Sequence, residues 1–453
     1  MMALVEHGTA VLPENLDIRQ LESYLAQVWE SRVHAGNTLP ERELEEVNND
    51  TAFYQQPFFY FGPTRQVKAR NYVGFVQFGE HSLEIQPKIF AQRPDLDAAA
   101  RVRHLIHWLS YGQRTWFPFS EADLDETAVD SFPEALLYVF GRQTLHLVLA
   151  QPSAQYQIVE EALPYFRGRL LTDAYIKNWA QGQQHVVPSE HSSFQYDNLL
   201  NRIIKFVTRK LLTITRLPET MGLLRNILFV LDEVADEPLL TRADCDRVSL
   251  NRYFGDYSRC LDRCRLFLSD TAHQSGTESL PQLCFLVPME RVFEDFLAEF
   301  MRENFSDRFQ IAISSTDFLA SNQDKRPVFQ IRNDLLLKSG NDTQLIIDFK
   351  YKNFDPSAAD DPKRGISQPD LYQMLAYALR RNCAQVLLLY PGFSATPLAF
   401  DEPPVYFTIE SDFFPEKSVR IAAARVDITS TSFEQLRNGL RARLDYLTTI
   451  LHA

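Results

Sequence analysis

The amino-acid sequence predicts an α/β (α+β) protein whose chemistry lies in a small mixed sheet flanked by helices. Helical and strand periodicities alternate along residues 281–453, they are mixed over residues 1–160, and helical spacing dominates residues 161–280. The polar, Gly- and Ser-containing segment 269–280 predicts a boundary. We therefore predict an N-terminal mixed α/β domain, a helical middle region and a C-terminal α/β domain over these three ranges.

The N-terminal region begins with a predicted helix over 16–32, where apolar residues recur at helical spacing. Two runs rich in β-branched and aromatic residues, 70–78 and 82–90, are separated by a short turn and predict a hairpin. Two further helices are predicted near 98–111 and 133–150.

The remaining elements follow from the same periodicities. In the middle region, the predicted helices lie at 196–212, 219–234 and 257–268. In the last region, helices are predicted over 288–305, 369–381 and 433–451, and strands over 328–338, 343–352, 384–390, 405–409 and 419–426.

Composition excludes several classes of protein. A net charge of −13 argues against a protein that coats nucleic acid by bulk charge, although a local metal site needs carboxylates. The five cysteines are odd in number and form no C-x-x-C pair, which favours reduced thiols in the cytoplasm. Neither a targeting segment nor an apolar run of about 20 residues is present, so we expect no membrane association.

One predicted strand, residues 344–352, has charged residues in an otherwise apolar sequence. Because side chains alternate along a strand, Asp348 and Lys350 project from the same face. Asp334 lies one hairpin earlier, where its carboxylate can approach that of Asp348. Two close carboxylates favour a divalent cation, and Mg²⁺, with Mn²⁺ as a substitute, suits oxygen ligands. The plain alternative is a solvated hairpin with an Asp–Lys surface pair.

Three residues on neighbouring helices are candidates to complete this site. Gln373 and Tyr377 are four apart, so they share one face of the helix that follows the strand. Glu294 borders the apolar stripe of the helix that opens the last region, where it can join a metal shell directly or through water. Taken alone, Gln373 and Tyr377 are more often a chance pattern, and Glu294 is more often a solvated helix edge.

Several ordered motifs resemble the PD-(D/E)xK nuclease superfamily and, more closely, the McrC family, the nuclease subunits of modified-cytosine restriction systems. The motifs are FEDF (293–296), ND (333–334), DFKYK (348–352) and DLYQMLAYA (370–378). Upstream, the segments YVGFVQFGEHSLEIQPKI (72–89), FRGRL (166–170) and YDNLLNRIIK (196–205) are also similar to this family.

The resemblance implies a role for each matching residue. It implies metal ligation by Asp334 and Asp348, a catalytic Lys350, a helix acid at Glu294, and supporting or DNA-contacting positions at Gln373, Tyr377, Tyr351 and Lys352. Asn333 departs from the pattern, because the superfamily often has Pro before the first acid.

The resemblance also implies partners. McrC-like chains cut double-stranded DNA and dock through their N-terminal part on a hexameric McrB-like AAA+ GTPase, which they stimulate. The sequence has no G-x-x-x-x-G-K-[ST] loop, so nucleotide hydrolysis is expected of the partner. Cutting both strands needs two sites, which predicts self-association through the nuclease domain. The alternatives are a non-cleaving stimulator of the ring and a stand-alone DNA repair nuclease.

Overall fold

The computed structural model describes residues 2–34, 57–112, 117–123, 129–250, 252–269, 282–357, 361–393, 398–410 and 418–452. The chain folds into two compact units. The first comprises Met1–Val76, His81–Pro133 and Phe285–Ala453, and the second comprises Gln77–Glu80 and Glu134–Cys284. The three-part division expected from the sequence stays a prediction, and its boundary segment 269–280 lies outside the described residues beyond Ser269.

The secondary structure alternates along the chain. The strands are β1 (Met2–Val5), β2 (Thr9–Val11), β3 (Phe59–Phe61), β4 (Gln66–Ala69), β5 (Tyr72–Phe78), β6 (His81–Gln86), β7 (Gln155–Leu163), β8 (Arg169–Leu170), β9 (Val187–Gln195), β10 (Gln282–Pro288), β11 (Gln310–Ser321), β12 (Pro327–Ser339), β13 (Asp342–Phe349), β14 (Gln385–Pro391), β15 (Val405–Glu410) and β16 (Ser418–Val426). The α-helices are α1 (Ile18–His34), α2 (Ala98–Ser110), α3 (Phe132–Ala150), α4 (Thr172–Ala180), α5 (Leu199–Leu212), α6 (Pro218–Val230), α7 (Arg242–Asp246), α8 (Tyr257–Ser269), α9 (Met289–Phe305), α10 (Gln368–Arg381) and α11 (Phe433–His452).

The N-terminal part of the first unit contains two small sheets. One has the strand order β1-β6-β5-β10, and the other has the order β2-β4-β3. The predicted hairpin is confirmed, because β5 and β6 are neighbours in the first sheet. Strand β1 joins this hairpin in parallel, with Met2 opposite Leu83 and Val5 opposite Gln86. Every residue of β5 is buried, which makes this sheet an interior element.

The C-terminal part of the first unit is built on a six-stranded mixed sheet of order β11-β12-β13-β14-β16-β15. Strands β11, β12 and β13 are antiparallel, whereas β13, β14 and β16 run parallel. The centre of the sheet is apolar on both faces, as expected where helices cover a parallel core. Leu336, Ile346 and Leu388 of this core are fully buried. The predicted α/β fold with a small mixed sheet is confirmed.

Strands β1 to β4, β10 and β11 were not predicted from the sequence. Strand β11 is half-buried or exposed along its whole length and contains Ser, Thr and Asp, so its apolar signal is weak. Strand β10 runs directly into α9 without a polar turn, so the sequence has no signal that marks where the strand ends and the helix begins. Strands β10 and β11 both lie at sheet edges, although every residue of β10 is buried.

The second unit combines helices α4 to α8 and most of α3 with a three-stranded antiparallel sheet of order β7-β9-β8. The predicted helix at 196–212 begins later, at Leu199, because the Asn198 side chain caps it by accepting from the Asn201 N–H at 3.0 Å. The sheet was not predicted. Its exposed strands have no regular apolar alternation. Among the described residues, none of the helices is long and apolar enough to cross a bilayer.

Candidate active site

The hairpin of β12 and β13 brings two acidic residues together. Their antiparallel register pairs Leu335 with Ile347, so Asp334 and Asp348 occupy the next opposing positions. Backbone pairing stops at this point, and the Asp334 Oδ2 accepts the Phe349 N–H at 2.9 Å. The structure therefore places the two carboxyl groups on neighbouring strands, as the hairpin expected from the sequence requires.

Lys350 follows the last residue of β13 and is fixed at both ends. Its backbone N–H donates to the Leu389 carbonyl at 2.9 Å, which continues the pairing with β14. Its ammonium lies 2.7 Å from the Asp348 Oδ2 and donates to the Gln373 Oε1 at 3.0 Å. Because both Asp348 and Lys350 are buried, this ion pair is shielded from solvent screening.

Helix α10 braces the lysine through a chain of hydrogen bonds. Ser367 caps the start of this helix, and Gln373 and Tyr377 lie one turn apart on its buried side. The Gln373 Nε2 donates to the Tyr377 hydroxyl at 2.7 Å, and that hydroxyl donates to the Arg332 carbonyl at 2.7 Å. The chain thus runs from Lys350 back to β12, two residues before Asp334.

The electrostatics of the site show an excess of buried negative charge. Burial raises the pKa of Asp334 well above its usual value, and the carboxylates of Asp348 and Glu294 raise it further. Burial alone would lower the pKa of Lys350, but the carboxylates of Asp348 and Asp334 raise it above its usual value. The lysine therefore stays protonated, and a cation is favoured beside the two acids.

The donor set fits Mg²⁺. This ion is usually held by one or two carboxylates, with water and substrate phosphate oxygens completing its shell. Asp334 and Asp348 provide the two carboxylates, and the half-buried Glu294 on α9 is close enough to affect Asp334 electrostatically. No group of three or more His, Cys, Asp and Glu side chains able to hold a metal ion occurs in the described residues.

Tyr351 and Lys352, which were predicted to support the site or to contact DNA, lie beside it. Tyr351 is 3% exposed and donates its hydroxyl to the Glu6 Oε2 at 3.0 Å, so its side chain supports the strand from within. Lys352 is half-exposed, and its ammonium donates to both carboxylate oxygens of Asp370 at 3.1 Å. A direct contact with DNA remains open for Lys352, whereas Tyr351 is covered by protein.

Sequence reasoning missed three residues that hold the site together. Asp370 lies in the quoted helix motif, and its position in the first turn of α10 was a usable signal. Glu6 and Lys88 contact Tyr351 from the amino-terminal sheet, 345 and 263 residues away along the chain. Neither residue had a local pattern that pointed to the site.

Comparison with solved structures supports the fold over the full chain. A chain of the half-complex from a tetradecameric assembly of Thermococcus gammatolerans McrB AAA+ hexamers with bound McrC matches with a TM-score of 0.75 and 19% identity, covering 98% of this chain and 99% of that chain. A second match, from the Thermococcus gammatolerans McrBC complex, has a TM-score of 0.50 and 20% identity over 67% of this chain and 88% of that one. At these identities the likeness concerns the fold.

Comparison by sequence gives the family. No curated protein matches the chain significantly. The family described as "McrBC 5-methylcytosine restriction system component" matches residues 67–391, which include both strands of the acidic hairpin and helix α10. The chain therefore belongs to the McrBC 5-methylcytosine restriction system component family.

Proposed function

We propose that this protein is the Mg²⁺-dependent endodeoxyribonuclease subunit of a McrBC-like restriction complex. The observation that supports this most directly is the group formed by the half-buried Asp334 with the buried Asp348 and Lys350 at the end of one β hairpin. Burying such charges costs stability, and charged groups held at that cost are characteristic of binding or catalytic sites. Family membership adds a restriction context to this geometry.

In the proposed reaction, Asp334 and Asp348 hold the metal and Lys350 faces the scissile phosphate. When bound, Mg²⁺ polarises the phosphate and activates a water molecule for hydrolysis. The Lys350 ammonium neutralises charge that develops on the phosphate or orients the attacking water. Gln373 accepts a hydrogen bond from this ammonium at 3.0 Å and so limits its rotation. Tyr377 holds Gln373 in turn.

The proposed partners are double-stranded DNA, a hexameric McrB-like AAA+ GTPase and a second copy of this chain. The matched half-complex consists of McrB AAA+ hexamers with bound McrC, which supports the ring partner. The net charge of −13 supports dependence on a partner for much of the DNA affinity. Self-association through the nuclease domain supplies the two sites that a double-strand cut requires. A cytoplasmic location follows from this role.

The test is cleavage of DNA by the complex of this protein with its proposed AAA+ partner. We expect Asp348→Ala and Lys350→Ala to abolish cleavage while stimulation of nucleotide hydrolysis by the ring is retained. Asp342→Ala is the matched control, because Asp342 is an exposed acid at the opposite end of the same strand. Wild-type cleavage by both site variants would contradict the assignment. A wild-type complex that stimulates the ring but cuts no DNA would favour the non-cleaving stimulator.

A further inference from the structure

A second buried polar cluster lies behind the strand that carries Lys350. It consists of Glu6, which follows β1, Lys88, which follows β6, and Tyr351. The Glu6 Oε2 accepts the Lys88 backbone N–H at 2.9 Å and the Tyr351 hydroxyl at 3.0 Å. Glu6 is 4% exposed and Tyr351 is 3% exposed, so bulk water does not compete for these two hydrogen bonds.

Lys88 holds the other end of the tyrosine. Its ammonium donates to the Tyr351 carbonyl oxygen at 3.2 Å and lies 4.4 Å from the centroid of the Tyr351 ring. A lysine over an aromatic face is a favourable contact, especially where water is excluded. Tyr351 is therefore fixed at its hydroxyl, its ring and its backbone by two residues of the amino-terminal sheet.

This anchoring occurs where regular strand pairing has ended. Strand β13 ends at Phe349, and Lys350 makes one further backbone bond to Leu389. The Lys352 N–H then donates to the Lys350 carbonyl at 2.8 Å, which turns the chain sharply. The position of Lys350 thus depends on the residue that follows it, and that residue is Tyr351.

We propose that Glu6 and Lys88 are positioning residues that act through Tyr351 to set the place of the Lys350 ammonium. The amino-terminal sheet is then part of the nuclease site rather than a separate module. This inference rests on the proposed nuclease function. It makes the geometry of the lysine depend on where Glu6 and Lys88, which follow β1 and β6, hold the Tyr351 side chain.

The energetics of Glu6 support a role beyond packing. Within the described residues, its Oε1 is buried without a hydrogen-bond partner, which is costly for a polar atom. Burial raises the pKa of Glu6 to about 7, against the lowering effects of Lys88 and Tyr351. An apolar side chain would fill this space at lower cost. What an apolar side chain cannot supply is the acceptor for the Tyr351 hydroxyl.

The test measures kcat and KM for DNA cleavage in the complex with the AAA+ partner. We expect Tyr351→Phe and Glu6→Ala each to lower kcat about tenfold with little change in KM, because they loosen the lysine and not the DNA contacts. The double variant should lose no more than Glu6→Ala alone, since the hydrogen bond that Tyr351→Phe removes is one of the two that Glu6→Ala removes. Glu6→Gln should retain most activity, because its amide oxygen accepts the same two hydrogen bonds.

Two matched controls separate positioning from general destabilisation. Tyr257→Phe removes a buried hydroxyl that donates to the Gln151 carbonyl at 2.8 Å in the second unit. Glu84→Ala removes a buried carboxylate of the same amino-terminal sheet, which accepts the Phe132 N–H at 3.2 Å. Both controls should lower the melting temperature without lowering kcat at a temperature where the variants are folded.

The possible results distinguish this inference from the proposed function. Wild-type kcat in Tyr351→Phe and Glu6→Ala, together with inactivity of Lys350→Ala, would overturn the positioning role and leave the nuclease assignment intact. Equal loss of kcat in the two controls would also overturn it. Wild-type cleavage by Lys350→Ala would overturn the proposed function instead. If Glu6→Ala does not fold, the nearly isosteric Tyr351→Phe decides the question.

Discussion

The six-stranded sheet of the first unit and the three-stranded sheet of the second unit depart from ordinary burial in opposite ways. In the six-stranded sheet, Asp348 and Lys350 are only 2% and 8% exposed. In the second unit, Ile158 on β7 and Trp179 on α4 are 74% and 57% exposed. Soluble proteins usually bury such apolar side chains and expose such charges.

The difference shows where the chain is committed to tasks other than its own folding. Buried charges need a partner of opposite sign or a metal: Lys350 is that partner for Asp348, and the proposed function adds the metal. Exposed apolar side chains gain free energy when another surface covers them, so the small sheet is suited to a protein partner. The variants described next measure what the buried charges and the exposed apolar side chains contribute to stability and to function.

The largest effect is expected from Asp348→Asn. Neutralising the buried Asp348 should lower DNA cleavage on the order of 10³-fold, because the metal loses a charged ligand. Without metal, the same change should lower the melting temperature, because the buried Lys350 ammonium loses the carboxylate that lies 2.7 Å from it. Saturating Mg²⁺, about 100 times its Kd, should stabilise the wild type by about 2.7 kcal/mol and the variant much less.

Thermal unfolding with and without Mg²⁺ measures this difference. Asp342→Asn, at the exposed end of the same strand, is the control and should respond to the metal as the wild type does. Equal stabilisation of wild type and Asp348→Asn by Mg²⁺ would show that the buried acids are not its ligands.

The second effect concerns the stability that is lost by burying the Glu6 carboxyl group. Its pKa is raised from 4.5 to about 7 by burial, so the folded state keeps a proton that the unfolded state releases between these values. The free energy of unfolding should therefore fall as pH rises through this window, by up to about 3 kcal/mol. Glu6→Gln cannot release this proton and should lose that part of the pH dependence.

Denaturant unfolding of wild type and Glu6→Gln at pH 5 and pH 8 shows whether the free energy of unfolding falls or rises with pH. Groups other than Glu6 titrate in both proteins, so the difference between their pH dependences isolates this carboxyl. A wild type that gains stability over Glu6→Gln at pH 8 would contradict the prediction.

A smaller effect is expected from Tyr377→Phe. This variant removes the hydroxyl that links Gln373 to the Arg332 carbonyl and so loosens the support of Lys350. We expect kcat for cleavage to fall about tenfold, which corresponds to about 1.4 kcal/mol. The control is Tyr372→Phe, on the same helix, where the side chain is 60% exposed. An equal loss in both variants would argue against the hydrogen-bond chain.

The sequence predicted the central elements because their signals are local. The alternation around Asp348 and the short turn after β12 were enough to place a hairpin and to bring Asp334 opposite. The link from Tyr351 to Glu6 spans 345 residues, and no local pattern encodes such a contact. Strand β7 escaped prediction for another physical reason, since a solvent-facing strand needs no apolar alternation of its own.

The smallest effect on stability is expected in the exposed sheet. Ile158→Ser should change the free energy of unfolding by less than about 0.5 kcal/mol, because the side chain is already in water. Ile347→Ala in the six-stranded sheet is the contrasting variant, and loss of its fully buried side chain should cost about 2–5 kcal/mol. Denaturant unfolding measures both. Binding to the AAA+ partner should show the reverse order, with Ile158→Ser the more damaging. Comparable stability losses in the two variants would mean that Ile158 is covered within this chain, and the contrast between the two sheets would not hold.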